Sequence, residues 1–128
     1  MKPAIISRKV TMEKDRLKFS IKVRIKKGED MFGPGLIEFL ERTAETGSMQ
    51  AACEQMEMSY SKGWRLLKAG ERATGKVLLD RKTGGSTHGS STLTEDGRKL
   101  IADYKEFVAM INKTANDNFA GFFAKWEE

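Results

Sequence analysis

Between Ser59 and Arg72 the chain sets Ser59, Ser61, Lys62, Arg65, Lys68 and Arg72 among Tyr60, Trp64, Leu66 and Leu67. On a helix of 3.6 residues per turn this spacing separates a cationic side from an apolar one. Cations with hydroxyls at the helix start suit a polyanion. An arginine can hold a guanine edge through two parallel hydrogen bonds, lysines and arginines meet phosphates, and serines reach either. Ser59, Ser61, Lys62 and Arg65 stand where base edges would be met, with Arg65 the candidate for guanine, while Lys68 and Arg72 suit flanking phosphates. The plain alternative is an ordinary solvated helix face.

Other chemistries find little to work with. Cys53 and His88 are single in the sequence, so neither an internal disulfide nor a zinc set of Cys and His can form. No nucleophile has a base signature beside it, no Walker or Rossmann glycine pattern occurs, and Gly84-Gly85 has no following helix to cradle phosphate. No catalytic residue, metal ligand or cofactor is therefore expected. No run reaches the ~18 apolar residues of a membrane span, and MKPAIISRKV lacks the apolar stretch of a secretory signal, so a soluble cytoplasmic chain without a membrane partner is expected.

The 128 residues carry a net charge of +5, unevenly spread. Residues 1–28 hold ten cations and two anions, 29–58 one and seven, 59–98 eight and four, and 99–128 four and five. Two basic segments around an acidic block give the polarity of a nucleic-acid face, or a solubility surplus.

The elements follow from periodicity and caps. Leu17 to Ile25 alternate apolar and polar, which predicts a strand whose other face is the ladder Lys18, Lys22, Arg24, Lys26. That ladder either protects an edge or binds. Lys27 to Asp30 is a turn and Met31-Phe32 a return strand. Pro34 opens a helix that runs through Thr46 and stops at Gly47. Ser48 caps a helix of about two turns with Met49, Ala52, Cys53 and Met56 on one face, and Ser59 caps a third, closed by Gly75, with Tyr60, Trp64 and Leu67 inward. Val77-Leu78-Leu79 predicts a strand, Gly84 to Ser91 a loop, and Thr92-Leu93 a return strand. Thr94 caps a last helix, with Glu95 and Asp96 in its first turn. Its stripe Leu100, Tyr104, Phe107, Ile111, Ala115, Phe119, Phe122 and Trp126 either folds back on the hairpin or forms a dimer seam. Asn112, Asn116, Asp117 and Asn118 leave a break there as open as one continuous rod.

Two short helices joined by a tight turn, the second with a basic face, then a ribbon with a glycine-rich basic tip, are the layout of a winged helix-turn-helix. The expected class is α+β, mainly α, with an N-terminal β-hairpin and a long C-terminal helix. Residues 1–16 read as an extension, 17–111 as the winged domain and 112–128 as a helical extension. The wing would reach the DNA backbone through Arg81, Lys82, Thr87 and His88.

Five motifs then stand in order: Phe32-Gly33-Pro34-Gly35; Glu45-Thr46-Gly47-Ser48 with Ala51-Ala52; Met58-Ser59-Tyr60-Ser61-Lys62-Gly63-Trp64; Gly84-Gly85; and Leu93-Thr94-Glu95-Asp96-Gly97-Arg98. Together, over about Leu17 to Phe107, they resemble the N-terminal DNA-binding domain of the ModE family of molybdate-responsive regulators, whose winged helix is related to that of LysR-type regulators. The resemblance implies a homodimer on operator DNA, with the helix matching Ser59 to Thr74 in the major groove and the loop matching Gly84 to Ser91 as the wing. The family's wing is richer in glycine and ends in Ala-Arg before Leu-Thr; here Ser86, Thr87, His88, Ser90 and Ser91 replace several of those residues. Full-length members continue into oxyanion-binding domains, whereas this sequence stops at Glu128, so molybdate is not expected as a ligand.

The sequence thus leads to a double-stranded-DNA-binding transcription regulator acting as a homodimer. With about four phosphates neutralised per subunit, its log-log salt slope would be about −7. The alternative is the same fold used to hold a protein partner through the aromatic C-terminal stripe.

Overall fold

A computed structural model describes residues 15–82 and 90–127. The N-terminal ladder is shorter than the alternation predicts: β1 is Ile25–Lys27, antiparallel to β2, Asp30–Phe32, with Lys26 opposite Met31. The return strand runs into Gly33 and Pro34, and proline has no N–H for a ladder but suits a helix start. Residues 17–24 accordingly carry no ladder. Val23 and Ile25 pack on the core, whereas Leu17 and Ile21 are exposed.

Helix α1, Pro34–Thr46, buries Leu36, Ile37, Phe39, Leu40 and Thr43 and ends at Gly47, whose N–H donates to the Thr43 carbonyl at 2.7 Å. Helix α2, Met49–Gln55, is capped by the Ser48 hydroxyl, which accepts from the Ala51 N–H at 3.0 Å. Met49, Ala52 and Cys53 face inward, as the spacing predicts. Helix α3, Tyr60–Thr74, follows, and a ribbon of β3, Leu79–Lys82, and β4, Ser90–Leu93, pairs from Leu79↔Leu93 to Lys82↔Ser90. Val77 and Leu78 stay outside the expected strand. The Val77 carbonyl accepts from the Thr94 hydroxyl, and the Leu78 N–H donates to Glu71, so these groups serve helix ends and not a ladder. Ser90 and Ser91, expected in the loop, belong to β4.

Helix α4, Glu95–Phe123, is unbroken and is followed by a 3-10 turn, Ala124–Glu127. The Asn-rich stretch stays helical through local i to i+4 contacts. Lys113 meets Asp117 at 2.8 Å, and the Asn118 amide donates to the Thr114 carbonyl at 2.7 Å. No helix among the described residues is long and apolar enough to cross a membrane.

The chain divides into two compact units. Lys22–Ala109 holds the core, in which Leu36, Phe39, Leu40, Leu67 and Leu78 are fully buried. The Tyr104 hydroxyl closes it by donating to the Val23 carbonyl at 2.6 Å, satisfying an acceptor that no ladder reaches. The second unit joins the described residues up to Ile21 to those from Met110. There Phe119 lies 5.2 Å from both Phe19 and Phe123, and the Leu17 N–H donates to Glu127 at 2.5 Å. Hairpin, helix-turn-helix and ribbon in this order make a mainly helical α+β winged helix.

Candidate nucleic-acid interface

The turn between α2 and α3 sets the angle of the candidate helix. Glu57 takes a left-handed φ of 55°, alone in this among the described non-glycine residues, and the Met58 N–H donates to the Cys53 carbonyl at 3.0 Å. The Ser59 hydroxyl then accepts from the Lys62 N–H at 3.1 Å, so its lone pairs serve the cap first.

The inward side of α3 is narrower than the aromatic spacing predicts. Its buried residues are Gly63, Leu67 and Gly70, with Leu66 and Trp64 half-buried against the core, while Tyr60 is 49% exposed and not inward as expected. Glycine is the reason. A Cβ on Gly63 would stand 2.5 Å from the Cys53 sulfur, and one on Gly70 would overlap Leu36, so α3 sits too close to α1 and α2 for a ring to come between. Helical geometry then turns Ser61, Arg65, Lys68 and Arg72 directly away from the core, and all four are exposed. Lys62 is exposed on the flank.

The four cations of α3 differ in their partners. Lys62 and Arg65 make no ion pair among the described residues. Lys68 lies 3.6 Å from Glu71, and Arg72 donates to Asp30 of β2 at 3.0 Å. Arg65, Lys68 and Arg72 are brought together along one groove with Trp64, Met31, Glu29 and Asp30. Arg81 of β3 joins them from the ribbon, its guanidinium 4.2 Å from the centre of the Trp64 ring, and Lys68 reaches the same ring at 5.5 Å. Lys82 is exposed at the end of β3. Thr87 and His88 lie outside the described residues.

Sequence reasoning missed Asp30 and Met31 as neighbours of the α3 face, because nothing local signals a contact across 42 positions. The spacing of Trp64 with Tyr60 predicts only packing, whereas the ring is half-buried and keeps its face open to cations. The C-terminal stripe divides. Leu100 and Tyr104, expected on a dimer seam, pack into the core of their own unit, while Phe107 is exposed. In the second unit Ile111 and Phe119 are half-buried, but Phe122 and Trp126 are 70% and 68% exposed.

The DNA-binding transcriptional dual regulator ModE of Escherichia coli (strain K12) is 30% identical over 84 residues, covering 66% of this chain and 32% of that protein. The molybdenum-pterin-binding protein MopB of Rhodobacter capsulatus is 30% identical over 81 residues, 63% of this chain and 30% of its own. The chain thus spans about a third of the length of these relatives. Among solved structures, the CbnR DNA-binding domain crystallised with DNA matches with a TM-score of 0.53 at 24% identity, over 68% of this chain and 94% of that one, a likeness of fold. The model of the bacterial regulatory helix-turn-helix proteins, lysR family, matches residues 34–98, from α1 into the first turn of α4 and just over half of the chain, and the chain belongs to that family.

Proposed function

We propose that this chain is the DNA-binding part of a transcription regulator that recognises double-stranded operator DNA as a homodimer, with α3 in the major groove and the β3–β4 ribbon against the adjacent backbone. The observation that carries the reading is the outward face of α3: Ser61, Arg65, Lys68 and Arg72 share one exposed side, opposite glycines that fix the helix to its own domain. A helix anchored on one side and cationic on the other is what major-groove docking requires. Arg65 and Lys62, without ion-pair partners among the described residues, are the residues for base edges; Lys68, Arg81 and Lys82 meet phosphates. Thr87 and His88 belong to the same proposed wing.

The test is selection of bound duplexes from random DNA at ~150 mM salt, where non-specific binding is already weak. An enriched inverted repeat supports both DNA recognition and two-fold symmetry; a single half-site removes the dimer, and no enrichment removes the regulator. The exposure of Phe122 and Trp126 favours a second reading, a protein-interaction module. Replacing Lys62 and Arg65 by Ala separates the two: DNA binding collapses on the first reading, and partner capture through the aromatic stripe survives on the second.

A further inference from the structure

We infer that Trp64 is a positioning residue that holds Arg81 ready for a backbone phosphate, making the junction of α3 and β3 a preformed phosphate site. The inference deepens the proposed DNA reading and rests on it. Four observations meet at the ring. Trp64 is half-buried and packed on the core, so its plane is fixed by the domain. The Tyr60 ring meets it edge-on at 6.2 Å and 89°, which restrains it from the preceding turn of the helix. The Arg81 guanidinium lies 4.2 Å from its centre, and the Lys68 ammonium 5.5 Å. Arg81 itself remains exposed.

The chemistry follows from the shape of the guanidinium. Stacking on an aromatic ring uses its flat face, whereas hydrogen bonds to phosphate oxygens use the N–H groups around its edge. Trp64 can therefore hold Arg81 without consuming a donor. A free arginine loses rotamer freedom when it meets a phosphate, and one already held against a ring loses less. Arg81 comes from the ribbon and Lys68 from α3, so one ring is shared by cations of two elements. The ligand class is a phosphodiester, and an indole serves this purpose better than a smaller ring.

The test measures duplex affinity and its salt dependence for the full chain and for Arg81→Ala, Trp64→Phe, Trp64→Leu and the double variant Trp64→Leu/Arg81→Ala, with thermal melts of each. Arg81→Ala should weaken binding about three- to tenfold and make the log-log slope shallower by about 0.9 per subunit. Trp64→Leu should weaken binding by a similar factor, Trp64→Phe should restore most of it, and the double variant should bind no worse than either single one. If Trp64 only fills the core, Arg81→Ala will cost its full factor again in the Trp64→Leu background, and the inference is overturned. An Arg81→Ala variant with unchanged slope overturns it too, since no phosphate is then met. Absence of DNA binding by the unmodified chain would instead remove the underlying DNA reading, a result distinct from both.

Discussion

Asp30 and Arg72 stand 42 residues apart in sequence and 3.0 Å apart in space, and the pair competes with any phosphate that approaches this end of α3. Both side chains are partly exposed, so the pair contributes at most about 1 kcal/mol to stability. Its larger effect is on charge, since Asp30 cancels one of the cations that would face a polyanion. Asp30→Asn should therefore leave the melting temperature nearly unchanged, tighten binding to duplex DNA, and steepen the salt slope by about 0.9 per subunit. A slope that stays the same would show that Arg72 is not at the interface. Cys53 makes a different prediction. Burial pushes its thiol above the ordinary value, with the neighbouring Glu54 acting in the same direction and the Gly63 backbone hydrogen bond opposing both. A group raised in the fold gives stability that is present at lower pH and is lost as pH rises, because only the unfolded chain readily releases the proton. Stability should fall above pH ~8.5, and Cys53→Ala should flatten that fall while costing some packing. Denaturation followed by chemical melts at several pH values reads both effects.

At the level of elements, glycine decides which helix faces can meet. A Cβ on Gly97 would collide with the Leu78 carbonyl oxygen, a backbone atom that cannot swing aside. Gly97→Ala should accordingly destabilise the domain by about 1–3 kcal/mol, although alanine is by itself the better helix former by ~1 kcal/mol. A neutral or stabilising result in thermal unfolding would mean that α4 can slide off the ribbon. The caps and stops of α1, α2 and α3 were legible from Pro34, Gly47, Ser48, Ser59 and Gly75, because each acts on its own neighbours. The faces of α3 were only half legible. Hydrophobicity pointed to Tyr60 and Trp64, but the closest approach belongs to Gly63 and Gly70, whose importance depends on partners in other helices. The strand expected from Leu17 shortened to β1 because a ladder needs a partner of equal length, and Pro34 denies it one. The outward placement of Arg65 and Lys68 was legible because charge on one side of a helix is a local pattern; the contact of Arg81 with the Trp64 ring depends on how a strand packs and leaves no mark in the spacing.

On the scale of the molecule, two basic segments flank an acidic one, and the outward face of α3 belongs to the second basic segment. Within the acidic block Asp30 pairs with Arg72, Glu38 with Arg42 and Glu41 with Lys105, and no ion pair among the described residues reaches Lys62 or Arg65. The homodimer is tested separately from DNA contact. Replacing the exposed Phe122 and Trp126 by Glu should turn a concentration-dependent dimer into a monomer in analytical ultracentrifugation, and should lower affinity for an inverted repeat far more than for a half-site. A species that is monomeric before the substitutions would contradict the dimer. The most direct test of the whole account is the affinity of the unmodified chain for a selected duplex, followed by fluorescence anisotropy across a range of salt concentrations. A log-log slope of about −7, made shallower by Lys68→Ala/Lys82→Ala, is the result expected of cations of the helix and ribbon in contact with phosphates. A flat dependence, or one that the two substitutions leave untouched, would contradict it.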